Sequence, residues 1–348
     1  MAMVAVLGGL AGCAIALDHE FDDGGAPDDA GTDATVEAAA GCTPFSPTSG
    51  VAGDSRSLPL PDGGALWVVD QAASPDGGLV LSALFTVGTQ ASADCTSWSP
   101  QLVGPAFAPS PLAPDGLLAA LDLVQAGDGP ALYYELYVSD PSAPLNLRAL
   151  GVGIAPRDPS TGLFTPTGEL LWSPDRPAYG GSALRVGSMV YVFGCASSGY
   201  LTDDCYVARA TSSATSSSAG YAYWTGEGWS PNPDDAAPIT QGGGVVSVRP
   251  DPTGAQRFVM TYVPPIGSTL VARSAIAPEG PWSAPTTLAT CVLDGAGPGA
   301  FCGGAQQHPE LVRPPGSPLS LTYDAKTFAT DAGSGPAFTP RLVTFAVP

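Results

Sequence analysis

From residue 42 onward the chain is written in short apolar runs, each closed by Gly, Pro or Asp. Within a run the side chains alternate, as in Trp67-Val68-Val69 or Phe258-Val259-Met260-Thr261-Tyr262. A period of two sends successive side chains to opposite faces and predicts strands. No window sustains a helical period. The most hydrophobic strands are ALWVVDQ around Trp67, ALYYELYVS around Tyr133, MVYVFGC around Tyr191, RFVMTYV around Val259 and LSLTYD around Leu321. They are 66, 58, 68 and 62 residues apart. A period near 60 residues, with three or four strands in each unit, is that of a propeller blade. Five units fill residues 42–348, so the expected architecture is all-β, a five-bladed β-propeller.

Each unit opens on a strand of small or polar residues. These are Gly53-Asp54-Ser55-Arg56-Ser57, Leu118-Ala119-Ala120-Leu121-Asp122, Gly181-Ser182-Ala183, Val245-Val246-Ser247-Val248 and His308-Pro309-Glu310-Leu311. Innermost strands crowd a narrow axis, where packing favours small side chains. Packing gives no reason for the acids, the arginine or the histidine on them, and those become the candidates for chemistry.

Composition narrows the field. The 348 residues include 44 Gly and 37 Pro without a Gly-X-Y period, which suits a turn-rich β chain and excludes collagen. Twelve basic against 32 acidic residues leave a net charge of −20, with Lys326 the sole lysine. That balance argues against nucleic acid and against electrostatic docking on anionic lipid. Residues 1–13 read as a lipoprotein signal segment: an apolar run too short to span a bilayer ends in Leu10-Ala11-Gly12-Cys13, which resembles a bacterial lipobox with Cys13 as the acylated residue. Residues 14–41 read as a disordered acidic linker, since 18–41 hold eight acids and no base. The expected setting is the cell envelope of a bacterium, with membrane contact through the N-terminal lipid only and a monomeric domain outside.

Setting Cys13 aside leaves six cysteines. Proximity selects Cys195–Cys205, Cys291–Cys302 and Cys42–Cys95 from fifteen connectivities, and an exported chain favours disulfides. No CxxC or HxxxH spacing points to zinc. Neither a metal nor any other cofactor is expected.

The phrases SMVYVFGC, CYVARA, YAYWTGEGWSP, GGGVVSVRP, RFVMTYV, LVARSAIAPEGPWSAP, HPEL and LSLTYD together resemble a bacterial family of five-bladed propeller domains. That family, long of unknown function, is related to propeller glycoside hydrolases and includes endo-D-arabinanases that cut cell-wall arabinan. The likeness is strong over about 170 residues from Tyr179 and weaker over about 130 before it. It implies a polysaccharide or cell-surface glycan as partner. It also implies catalytic acids on the inner strands of the first three blades, where this chain has Asp54, Asp122 and the triplet Gly180-Gly181-Ser182.

Glycoside hydrolysis needs two carboxyl groups flanking the scissile bond. With Ser182 in the third place, Asp54 and Glu310 make the best pair, because ring closure sets the fifth blade beside the first. Asp122 is a further candidate, and Asp203 or Asp204 could reach in from a loop. Arg56 beside Asp54 would keep it ionised, and Asp70 lies one strand out. His308 should share the strand face of Glu310 and could donate to a sugar hydroxyl or simply be a bonded structural residue. Trp224, Trp229 and Trp282 fall in repeat phrases and read as packing; Trp98 and Tyr200, outside them, suit a sugar-stacking rim. Two functions stand side by side: a glycoside hydrolase acting on polysaccharide, and a non-catalytic propeller that binds glycan or protein at the cell surface.

Overall fold

The computed structural model describes residues 52–61, 63–73, 79–87, 101–143, 146–255, 257–265, 267–293, 301–309, 319–326 and 339–345. The segments 1–13 and 14–41, with Cys13, and also Cys42, Cys95, Trp98 and Glu310, lie outside the described residues.

The described strands form antiparallel meanders. The first sheet runs β1 (Ala52–Pro59), β2 (Ala65–Ala73), β3 (Leu79–Val87) and β4 (Gln101–Pro105). The second runs β5 (Leu117–Ala126), β6 (Gly129–Ser139), β7 (Leu147–Pro156) and β8 (Leu170–Trp172). The third runs β9 (Ser182–Val186), β10 (Met189–Gly199), β11 (Thr202–Thr211), β12 (Tyr221–Trp224) and β13 (Trp229–Ser230), with β14 (Thr240–Gly242) paired onto β11. The fourth runs β15 (Val246–Pro250), β16 (Phe258–Tyr262), β17 (Thr269–Ala275) and β18 (Thr286–Thr290). The last sheet shows three strands, β19 (Phe301–Gln307), β20 (Leu319–Lys326) and β21 (Thr339–Phe345). Helix is represented by short 3-10 turns such as Ser218–Gly220 and Pro233–Asp235. This is an all-β propeller. The first strands touch in a cycle: β1 with β5, β5 with β9, β9 with β15, β15 with β19, and β19 with β1.

Each hydrophobic strand picked out by pattern is the second of its sheet, and its alternation decides which neighbour it packs on. On β6, Tyr133 joins Trp172, Tyr179, Val190, Val192 and Tyr221 between the second and third sheets. The next side chains, Leu132, Tyr134 and Leu136, join Leu66, Val68 and Leu84 of the first. On β10, Val190 and Val192 face back toward the second sheet, while Tyr191 and Phe193 meet Met260 and Tyr262 of the fourth. Burying each such side chain contributes roughly 1.5–3 kcal/mol. Gly180 opens the third sheet hard against Tyr133: a Cβ there would lie 2.7 Å from the Tyr133 Cβ. Its glycine is a packing requirement.

One seam differs. On β20, Leu319, Leu321 and Tyr323 face the fourth sheet with Val259 and Leu270. The alternate residues Ser320, Thr322 and Asp324 are buried polar groups. Thr322 meets the first sheet, so the chain closes its last sheet onto its first through hydroxyls and a histidine.

The innermost strand of the last sheet is β19, not the expected His308–Leu311; His308 follows its end. Phe301-Cys302-Gly303-Gly304-Ala305 supplies the small residues that the axis requires, and Pro309 has no N–H to give a ladder. Cys195 and Cys205 stand directly opposite on β10 and β11 and are bonded. Cys291–Cys302 joins the chain just past β18 to β19 and so links the fourth sheet to the last.

Candidate functional site

The innermost strands are tied by one repeated contact. Asp122 Oδ2 on β5 accepts from the Ala183 amide on β9 at 2.7 Å. Ser182 Oγ on β9 accepts from the Val248 amide on β15 at 2.9 Å. Ser247 Oγ on β15 accepts from the Gln307 amide on β19 at 3.1 Å. On β9 and again on β15, the accepting residue stands one place before the donating one. Asp122, Ser182 and Ser247 are therefore equivalent positions, and Asp122 is the acidic version of a latch that serines make elsewhere.

Asp122 is fully buried and fully engaged. Its Oδ1 also accepts from the Leu123 amide at 2.8 Å, and Arg249 Nη2 lies 2.9 Å from both oxygens. Arg249 comes from β15, two sheets away, and its Nη1 donates to Ala183 O at 3.1 Å and Val248 O at 2.9 Å. A buried carboxylate is tolerable only with such partners. This pair spans the second, third and fourth sheets.

The second charged cluster lies on the first sheet. The Asp54 amide donates to Asp70 Oδ2 at 3.0 Å, Arg56 Nη1 donates to Asp70 Oδ1 at 3.0 Å, and Arg56 Nη2 stands 3.6 Å from Asp54 Oδ2. Asp54 and Arg56 are 3% and 5% exposed, so this charge is held inside the protein. Burial opposes the Arg56 charge, but Asp70, Asp54 and Asp122 together raise its pKa above the ordinary value. The structure thus brings Asp54, Arg56 and Asp70 into one cluster, with Asp122 within its electrostatic reach. Arg56 also lines a cavity of about 20 Å³ bounded by Leu121, Gly181, Gly194, Cys195 and Gly244. That holds one water molecule, so a larger ligand would sit on the rim above it.

His308 is 2% exposed. Its Nδ1 lies 2.7 Å from Ser57 Oγ, its Nε2 lies 2.6 Å from Thr322 Oγ1, and its ring stacks on Trp67 at 4.1 Å. Thr322 Oγ1 also meets Ser55 Oγ at 2.8 Å. Both ring nitrogens are engaged within the protein, and the histidine ties the first sheet to the last.

Tyr200 is 74% exposed at the tip of the β10–β11 hairpin, and Cys195–Cys205 clamps the base of that arm. Asp203 and Asp204 follow it; burial and the neighbouring Asp204 raise the Asp203 pKa. Trp224, Trp229 and Trp282 pack against the core between the third and fourth sheets, with Arg209 over the Trp229 ring at 4.0 Å. No group of three or more His, Cys, Asp or Glu among the described residues could hold a metal ion. No helix among them is long and apolar enough to cross a membrane.

Three residues escape the sequence reading. Arg249 offered a signal, an arginine on an innermost strand like Arg56. Glu135 offered none: it lies on β6, accepts from the Tyr137 hydroxyl at 2.6 Å, and has its pKa raised by burial, which outweighs that hydrogen bond. Gly304, which packs on Asp54, is one glycine among 44.

Residues 170–317 match the model of a domain of unknown function, DUF4185. No curated protein matches the chain. Among solved structures, the chain is similar to a Bacteroides ovatus protein described as a hydrolase by inference, with a TM-score of 0.57 at 16% identity over 85% of this chain and 86% of that one. It is similar to the GH43_1 enzyme of Xanthomonas citri, solved with xylose, at 0.53 and 13% over 88% and 90%. It is also similar to an α-L-arabinofuranosidase of Lactobacillus brevis, at 0.53 and 10% over 86% and 91%. At these identities the likeness is one of fold: the chain has the propeller fold of GH43-type glycoside hydrolases.

Proposed function

We propose that this protein is a cell-envelope glycan-handling propeller whose axial face binds polysaccharide and cleaves it through Asp54. The observation that carries the reading is the buried Asp54–Arg56–Asp70 cluster on the innermost strands of the first sheet. Burying three charges costs stability and is not needed to pack a propeller, so such a cluster marks a functional site. The X. citri relative in the same fold was solved with xylose and xylotriose, which supports a sugar as ligand. In this reading Asp54 acts as base or nucleophile, and Glu310 supplies the second carboxyl, with arabinan-type cell-wall glycan the first substrate to try. Tyr200 offers its exposed ring as a stacking rim, and Trp98 would do the same. The three-stranded sheet counts as the fifth wedge of the ring. Cys13 carries lipid, and residues 14–41 tether a monomeric domain to the cell surface.

A second reading, binding without cleavage, is favoured by one observation. Ser182 stands where a third-sheet acid would, and Asp122 has both oxygens taken by latch and ion pair. The two separate on incubation of the purified protein with arabinan, xylan and galactan. New reducing ends that vanish in Asp54→Asn establish the hydrolase. Retention on immobilised polymer without new ends establishes the binding module. Neither cleavage nor retention on any polymer rejects both.

A further inference from the structure

The strand β19 is bulged between Gly303 and Gln306, and Gly304 in that bulge has φ +59°. A side chain is disfavoured there on backbone grounds alone. The close approach matters more. A Cβ on residue 304 would lie 2.9 Å from Asp54 Cγ and 3.2 Å from Oδ2, and nearer still to Oδ1. The Asp54 carboxylate rests on the bare backbone of the last sheet.

Neither side of this contact is able to retreat. Beside Gly304, Cys302 is bonded to Cys291, and the Ala305 carbonyl accepts from Thr261 Oγ1 at 2.6 Å. Beyond it, Gln307 Nε2 donates to Ser247 O at 2.7 Å and Val259 O at 2.9 Å. All of these anchors belong to or adjoin the fourth sheet. On the other side, Asp54 is held through its own amide by Asp70 and through its carboxylate by Arg56. With both backbones anchored, the freedom left is the Asp54 side-chain torsion.

We infer that Gly304 is a positioning residue for Asp54: the bare backbone of the last sheet forms the wall that sets the carboxylate, so closing the ring and placing the reacting group are a single event. The inference rests on the proposed role of Asp54 for its functional meaning, but the contact is testable without any activity. Thermal unfolding of wild type, Gly304→Ala, Asp54→Ala and the double variant forms a closed cycle. Gly304→Ala should lower Tm further when Asp54 is present than when it has been cut back to alanine. Folding of the double variant where Gly304→Ala alone fails would say the same. Equal Tm losses in both backgrounds, or failure to fold in both, would overturn the inference. In the cleavage assay, Gly304→Ala should lower kcat by about 100-fold with KM little changed, since a displaced carboxylate spoils the reacting geometry more than the binding. Full kcat in Gly304→Ala beside an inactive Asp54→Asn would also overturn it. Full activity in Asp54→Asn would instead reject the role given to Asp54 and leave the Tm cycle to decide the contact.

Discussion

Arg249 Nη2 lies 2.9 Å from each carboxylate oxygen of Asp122, although the two residues are 127 positions apart and belong to the fourth and second sheets. The pair is buried, and amides of Leu123 and Ala183 complete the carboxylate. It therefore acts as a tie-rod beneath the face where a ligand would dock. Removing one end leaves the other charge uncompensated inside the protein. Asp122→Ala and Arg249→Ala should each cost on the order of 3–5 kcal/mol, and the double variant should cost much less than the sum. Urea unfolding of the four proteins measures this. Additive losses would mean that the two side chains stabilise the fold independently.

The closing seam makes a related prediction. His308 connects Ser57, Thr322 and the Trp67 ring in one buried cluster. His308→Ala empties space beside Trp67 and strips partners from two buried hydroxyls. A loss of about 2–4 kcal/mol is expected, with proteolysis appearing first at the junction of the first and last sheets. A variant as stable as wild type would show that the seam does not depend on this ring.

The disulfide between Cys291 and Cys302 ties the fourth sheet to the last and sits two residues from Gly304. Replacing both cysteines by serine should destabilise the protein by about 2–4 kcal/mol. Thermal unfolding under non-reducing conditions reads it directly. An unchanged Tm would place the restraint elsewhere in the wedge.

Glu135 gives a pH dependence with a definite sign. Its carboxyl titrates above the ordinary range because burial disfavours the ionised form more than the Tyr137 hydroxyl favours it. The unfolded chain, with the lower pKa, ionises first as pH rises. Stability is thus full below the ordinary carboxylate value and falls as pH climbs through the raised one. Glu135→Gln should match wild type near pH 4 and exceed it at neutral pH. A variant that is less stable at neutral pH than wild type would reverse the assignment.

Tyr200 separates binding from folding. At 74% exposure its ring has little to lose on truncation, and Tyr200→Ala should change stability by no more than about 0.5 kcal/mol. Retention on immobilised polysaccharide should fall, and Tyr200→Trp should restore it, because stacking on a sugar face needs a ring and not a hydroxyl. Undiminished retention in Tyr200→Ala would remove this arm from the binding surface.

Period-two alternation was enough to place the second strand of every sheet, since burial on both faces leaves a mark on each residue of a strand. It also predicted the all-β propeller and the small-residue rule for the innermost strands. Both follow from local packing and need no knowledge of partners. The rule went astray at β19, where His308-Pro309-Glu310 looked like a strand because its polar residues drew notice and the plain run Phe301–Gln307 did not. Candidate residues were legible as types: Asp54, Arg56 and Asp70 stood out as charges on or beside a crowded axis. Their roles were not. Asp122 looked the same as Asp54 in the chain, yet one is a saturated latch and the other rests in a charge cluster against bare backbone. That difference is made by Arg249 and Gly304, which lie 127 and 250 positions along the chain from the carboxylates they meet. Hydrogen bonding and steric contact act over a few ångströms in space, and only the closed ring brings those positions together.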